Sequence, residues 1–399
     1  MSGVDGRISA VHTASVDRDV LVIGAGPAGL AVAACLLGRG VRPLVIDQAP
    51  EVGASWRGHY DRLHLHTVKS LSALPGLPFA EDAPRYVSRK GVADYLCRYA
   101  RHHRIDARMG HGVLAIEPDS PDAGHSNRWA VTLVGGQRLH SGHVVVATGA
   151  SRRARIPALA GLADFKGRVL HSREYRNADP FSGQRVLVVG MGNSGAEIAL
   201  DLAERGVPVA VSVRSPLNIV RREVLGRPTQ LAAIALGRLP PAVGDRLATL
   251  IRDLTVGDLS RWGIRSATTS PLRQVREEGR TPVIDVGTVA RIKSGDIVVH
   301  PGIVGLFADG ARFVDGTMGT FDAIVLATGY TPALKEIFPR TTLDLDDRQM
   351  PRDVVGRGAL AGIYFVGFDT RQSGGQLRAI ARQAQMLAPI LAGALAAGR

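Results

Sequence analysis

Asp19–Gly40, DVLVIGAGPAGLAVAACLLGRG, decides the fold: a short β-branched run, then Gly24-x-Gly26-x-x-Gly29, then an Ala- and Leu-rich helical pattern. That order predicts strand, tight turn and helix. Arg42–Asp47 (RPLVID) follows as a second strand with an acidic last residue, and a carboxylate about twenty residues beyond the first glycine completes a dinucleotide-binding fingerprint. Gly24 permits the sharp turn, Gly26 lets the backbone approach a pyrophosphate, and Gly29 lets helix and strand pack closely. Pro27 and Ala28 open the helix, whose positive N-terminus would carry the pyrophosphate. Asp47, with Gln48 beside it, would accept hydrogen bonds from a ribose hydroxyl pair.

The pattern recurs. Gln184–Leu202 reads QRVLVVGMGNSGAEIALDL, with Gly190, Gly192 and Gly195 opening another helix and Asn193 and Ser194 inside the turn. Ser194 is expected to donate to a pyrophosphate. The next strand, Pro208–Arg214, ends in Arg214 followed by Ser215, where the first unit has Asp47. A guanidinium pairs with a 2′-phosphate that a carboxylate would repel, so the second unit is expected to take NADPH. Two apolar strands, His143–Gly149 and Phe321–Gly329, each end in Thr-Gly: Thr148-Gly149, and Ala327-Thr328-Gly329 followed by Tyr330. Both are expected to close back on the first fold. The expected architecture is α/β, with two Rossmann-like dinucleotide domains, the second (161–319) inserted into a discontinuous first (19–160 and 320–399), after a flexible tail over 1–18. Gly362–Asp369 reads as one more strand before a long helix from about Gly375 to Ala394, placing Asp369 near the first cofactor.

A chain of 399 residues suits two or three domains. With 45% hydrophobic and 21% charged residues, and its 47 Gly and 22 Pro spread along the chain, it is neither disordered, collagenous nor a repeat array. No apolar stretch approaches the roughly 18–20 residues of a membrane helix, and Met1–Arg18 lacks a signal-peptide core. The expectation is a cytoplasmic monomer or homodimer without membrane contact. Cys35 and Cys97 are the two cysteines, which leaves neither a disulfide framework nor a zinc site nor a dithiol redox centre. The net charge is +13 and the basic residues behind it are almost wholly arginine; no nucleic-acid-binding motif accompanies them, and anionic cofactors explain the charge at least as well as a nucleic acid.

One segment carries a resemblance. Phe165-x-Gly167-x-x-x-His171-x-x-x-Tyr175, shortly before the second glycine motif, resembles the FxGxxxHxxx(F/Y) signature of flavin-containing monooxygenases. Trp56–Phe79, Gly190–Leu202, Val213–Thr229, Gly279–Ile303 and Leu326–Leu334 look most like the plant YUCCA branch, which converts indole-3-pyruvate to indole-3-acetate. The resemblance spans Asp19 to about Leu391. It departs from many family members at His66, where they have Asn, and from the plant branch at Val68 and in the loop Ser373–Gln376.

The resemblance implies FAD on the first unit and NADPH on the second, with dioxygen as co-substrate and a flavin carbon-4a (hydro)peroxide as the oxygenating species. A 2-oxo acid would lose carbon dioxide; a soft amine, thioether or ketone would be the alternative substrate of an N- or S-oxygenase or Baeyer–Villiger enzyme. A third alternative, an NADPH-dependent flavin reductase, lacks the expected dithiol. His66 and Thr67 are the candidate catalytic residues, on the flavin side. Ser55, Trp56, Arg57 and His64 are expected near the flavin, and His171 is expected to fix the linker at the NADPH cleft. His59, His64 and His66 do not have the spacing of a metal site. Substrate-pocket residues are expected from Thr67–Phe79 and Arg221–Trp262, with Leu231–Leu239 mostly core.

Overall fold

The computed structural model describes residues 16–119 and 129–397. Two separate sheets organise the α/β chain. In the first, Val16–Ile23 lies between Leu44–Asp47 and Arg138–Val146, both parallel to it. Ala107–Met109 and Ile363–Phe365 extend the parallel part, and Trp129–Leu133 and Val113–Pro118 continue it antiparallel. The second sheet is parallel throughout, in the order Ile297–His300, Val209–Ser212, Val186–Val189, Ala323–Leu326, Arg168–His171. Strands covered on both faces are expected to read as unbroken apolar runs; LVI over 44–46 and VLV over 186–188 do so and are buried.

Each glycine motif opens a helix, Pro27–Leu37 and Asn193–Glu204. A Cβ on Gly29 would lie 1.8 Å from the Gly24 carbonyl oxygen, and one on Gly195 would lie 2.0 Å from that of Gly190. Helix and turn therefore touch at backbone distance in both units. Leu30 and Leu36 of the first helix join a core with Val145 and with Leu387 and Leu391 of the C-terminal helix Gln376–Ala397.

Two expectations are corrected. The Phe321–Gly329 strand does not close on the first sheet: Ala323–Leu326 pairs in parallel with Val186–Val189 and Arg168–His171. The reason is that each glycine turn sits on its own Thr-Gly strand, Gly24 against the Ala147 carbonyl and Gly190 against that of Ala327. The second correction concerns the tail: Val16–Arg18 already belong to the central strand, while residues 1–15 lie outside the described residues. The two crossings between units run side by side, Tyr330–Thr331 antiparallel to Arg153–Ala154, with the Arg155 N–H donating to the Gly329 carbonyl at 2.9 Å. We place the junction between units at this pair of linkers rather than at 160 and 320.

Among the described residues no helix is long and apolar enough to cross a membrane, and no cluster of His, Cys, Asp and Glu has the makings of a metal site. Cys35 and Cys97 are free.

Because a Cβ at Gly29 would press first on a backbone carbonyl oxygen at 1.8 Å, Gly29→Ala is expected to cost about 1–3 kcal/mol or more. At Gly26 a Cβ meets nothing within 4 Å, so Gly26→Ala should leave the cofactor-free protein within about 0.5 kcal/mol of the parent. Denaturant unfolding of the cofactor-free variants checks both.

Candidate functional site

The two turns present the same chemistry. Gly26 and Gly192 are the helix N-caps, neither helix start has a side-chain cap, and the space in front of both glycines is open. Unsatisfied N–H groups at a helix N-terminus facing an uncrowded backbone suit a pyrophosphate. Asp47 is fixed across the first turn, its carboxylate accepting from the Ala25 N–H at 2.7 Å and the Ala49 N–H at 2.8 Å; Gln48 beside it is exposed. The buried Thr148 hydroxyl has no hydrogen-bond partner, which leaves it free for a ligand on the first turn. In the second unit Arg214 is exposed just beyond Val209–Ser212, without a carboxylate partner among the described residues, and Ser215 beside it is also exposed. These donors fit two dinucleotides, the second carrying an extra phosphate.

Several expected cofactor residues are committed to protein contacts. Asn193 accepts from the Ile284 N–H at 2.7 Å and donates to the Pro282 carbonyl at 3.2 Å, so it fastens that segment to the second turn. Arg57 bridges Glu51 and Asp94, each at 2.9 Å. Trp56 is half-buried against the first core, Ser55 is exposed, and His64 Nδ1 lies 2.7 Å from the Arg62 carbonyl. Thr328 donates to the Arg155 carbonyl across the linkers, and Tyr330 packs edge-on to His171. His171 itself is buried, its Nε2 3.1 Å from the Gly329 carbonyl and its Nδ1 accepting from the Arg173 N–H at 3.1 Å. Burial pushes its pKa down, and the contacts make it a neutral clamp on the linker. Asp369 accepts from the Arg371 N–H and the Gln372 side chain.

A cavity of about 190 Å³ is walled by residues of both units. Its wall takes His66 and Thr67 from the first unit, one face of Thr229–Leu236 and one of Pro241–Val256, the segment Thr281–Ile284, and Gly374–Gln376. It is tied to both turns. Gln376 donates to the Gly367 carbonyl at 2.8 Å, and a Cβ on Gly367 would come 2.9 Å from that of Ala28. Asn193 holds Pro282 and Ile284 from the other side. Buried Gln230 closes the ring, accepting from the Val68 N–H at 2.8 Å and donating to the Gly374 carbonyl. Gly375, at φ +97°, leaves no room for a side chain, since a Cβ there would lie 2.5 Å from Thr67 Cγ2. Thr67 Oγ1 is 2.7 Å from Ser72 Oγ.

Most of the wall is apolar; its charge comes from arginines. Buried Arg252 is held by Asn218 at 2.6 Å, the Ala267 carbonyl at 2.9 Å and Asp253 at 2.8 Å. Arg222 stacks on Tyr86, and exposed Arg221 has no carboxylate partner among the described residues. Of the expected Thr67–Phe79 stretch only Thr67 reaches the cavity. The Leu231–Leu239 run is not core: Leu236 lines the cavity, while Leu231 and Leu239 are 48% and 40% exposed. The expected Arg221–Trp262 span does supply cavity wall, Gln230 included; sequence reasoning missed Glu197. His66 Nε2 lies 2.7 Å from Glu197 Oε1, on the second unit's helix.

His59, beside this junction, is pushed down to about 4 by burial first and then by Arg173, Arg176 and Arg89. Its folded pKa lies below its unfolded value, so the unfolded chain binds the extra proton as pH falls through the window from 6.5 to about 4, and stability is lost there by at most about 3 kcal/mol. Unfolding free energies at pH 7 and pH 4.5 should differ less in His59→Gln than in the parent.

A profile of the flavin-binding monooxygenase-like family matches residues 17–341. Indole-3-pyruvate monooxygenase YUCCA1 of Oryza sativa subsp. japonica is 38% identical over 359 residues, covering 88% of this chain and 86% of the rice protein. A probable indole-3-pyruvate monooxygenase, YUCCA1 of Arabidopsis thaliana, is 36% identical over 88% of this chain and 85% of its own length. The solved flavin-containing monooxygenase from Stenotrophomonas maltophilia superposes with a TM-score of 0.71 at 22% identity, covering 95% of this chain and 99% of that one, a likeness of fold. With two dinucleotide turns and a cavity tied to both, the chain belongs to the flavin-binding monooxygenase-like family.

Proposed function

We propose that this flavoprotein monooxygenase oxidatively decarboxylates an aromatic 2-oxo acid of the indole-3-pyruvate type. Its first unit takes FAD and its second NADPH. The overall reaction consumes the 2-oxo acid, dioxygen, NADPH and a proton and yields the shortened carboxylic acid, carbon dioxide, NADP⁺ and water. The observation that carries the reading is an apolar cavity tethered to both dinucleotide turns, which gives a small substrate a place between them; the relatives named indole-3-pyruvate monooxygenases support the choice of acid.

Bound flavin, once reduced, supplies the activated oxygen. The chain supplies the rest. Val220, Ile251, Leu272 and Ile284 offer a dry surface to an aromatic ring. Arg221 pairs with the carboxylate, because a guanidinium without a competing carboxylate is the strongest anion donor on this wall. His66 and Thr67 present polar groups from the flavin side. Gln230 and Asn193 hold the walls together and exclude water.

With FAD-loaded protein, NADPH and indole-3-pyruvate, the expected products are indole-3-acetate and carbon dioxide in step with NADPH consumed. Peroxide as the sole oxygen product across a panel of aryl 2-oxo acids would overturn the reading. Arg221→Ala should raise KM for the 2-oxo acid about tenfold with kcat little changed, the signature of lost ground-state binding. Arg214→Ala should narrow the preference for NADPH over NADH about ten- to a hundredfold by removing the partner of the 2′-phosphate, measured from the rate of anaerobic flavin reduction.

A further inference from the structure

Glu197 is a carboxylate in a place where a helix core takes an apolar residue: it is 3% exposed and one turn inside Asn193–Glu204. A buried carboxylate needs hydrogen-bonded partners. Oε1 lies 2.7 Å from His66 Nε2 and 3.3 Å from the Tyr60 hydroxyl. An ionised carboxylate only accepts, so the hydrogen of the first contact belongs to Nε2 and that of the second to Tyr60. In the neutral form of the His66 ring this leaves Nδ1 as the acceptor.

Ser194, in the second turn, is the next polar side chain acting on the Tyr60 hydroxyl, and Glu197 lies one turn into the helix that the second turn opens. The side chains run Ser194, Tyr60, Glu197, His66, from the second dinucleotide turn to the cavity wall. They also cross between units, since Tyr60 and His66 follow the first turn in sequence and Ser194 and Glu197 belong to the second. A helix core needs no such chain for stability; apolar residues would serve it as well.

We propose that Glu197 is a positioning residue that locks His66 as the Nε2–H tautomer and makes the setting of that ring in the cavity depend on the dinucleotide held at the second turn. This rests on the second turn binding NADP⁺ and is independent of which substrate fills the cavity. Glu197 takes no part in bond making; it acts through His66.

The test uses the full-length FAD-loaded protein with isotopically labelled histidine, the His66 ring signals being assigned by their loss in His66→Asn. In the parent, His66 should be the Nε2–H tautomer, and adding NADP⁺ should move its signals. Glu197→Gln keeps an accepting oxygen and should preserve both properties. Glu197→Leu should give a mixed tautomer with no response to NADP⁺, while NADP⁺ affinity, followed by titration of flavin absorbance, stays within about threefold because no contact to the dinucleotide is removed. Tyr60→Phe, which removes a single hydroxyl, should keep the tautomer and lose the response, so the proposal stays testable if Glu197→Leu does not fold. A His66 that remains Nε2–H and responsive in Glu197→Leu, or a response retained in Tyr60→Phe, would overturn it. Failure of NADP⁺ to bind the parent would overturn the cofactor assignment on which it stands, a result the absorbance titration reads separately from the tautomer.

Discussion

Everything in the molecule depends on a backbone contact made twice: a helix resting on a glycine turn so closely that a Cβ would lie about 2 Å from a carbonyl oxygen. The contact sets the helix axis relative to its strand. The first N–H groups then face open space just past the strand end, and the residue closing the next strand, Asp47 or the region of Arg214, lands beside that opening. Anion binding is a by-product of packing, since unsatisfied N–H groups are where they are because the helix begins there.

The cavity is a second-order consequence. Neither unit contains it. It arises where Gln230, Asn193 and Gln376 each spend hydrogen bonds on a different segment, drawing Val68, Gly374, Ile284 and Gly367 into one ring. Buried amides used in this way are costly to leave unpaired, so Gln230, bonded to Val68 and Gly374, ties the two units together at the cavity.

Local features were legible and long-range ones were not. The glycine turns, the acidic and basic strand ends and the C-terminal strand Ile363–Phe365 could be read because each is set by residues adjacent in sequence. The strand ending at Gly329 was assigned to the wrong sheet because ATG at 147–149 and at 327–329 are identical as local patterns. What separates them is which turn needs the carbonyl beneath it, a fact of register. The cavity residues were legible only in part for the same reason. His66 and Thr67 stood out, and the span Arg221–Trp262, which takes in Gln230, was read as pocket-forming, whereas Glu197 reads as an ordinary charge on a helix whose opposite face is apolar. Its burial comes from Tyr60 and His66, which reach it across more than a hundred residues of chain.

Two turns of one geometry in one chain raise the question of what keeps each cofactor in its place. Shape does not separate them, since Gly26 and Gly192 are alike in cap conformation and in the openness before them. Charge does. The Asp47 carboxylate is pinned by two backbone N–H groups and cannot swing aside, so a 2′-phosphate at that strand end meets a fixed negative charge. Arg214, free of any carboxylate among the described residues, offers the opposite. A mobile side chain suffices for attraction, because it can follow the phosphate, whereas repulsion works only if the repelling group is held. That asymmetry, a clamped acid in one unit and an unclamped base in the other, is what the proposed order of cofactors, FAD on the first unit and NADPH on the second, rests on.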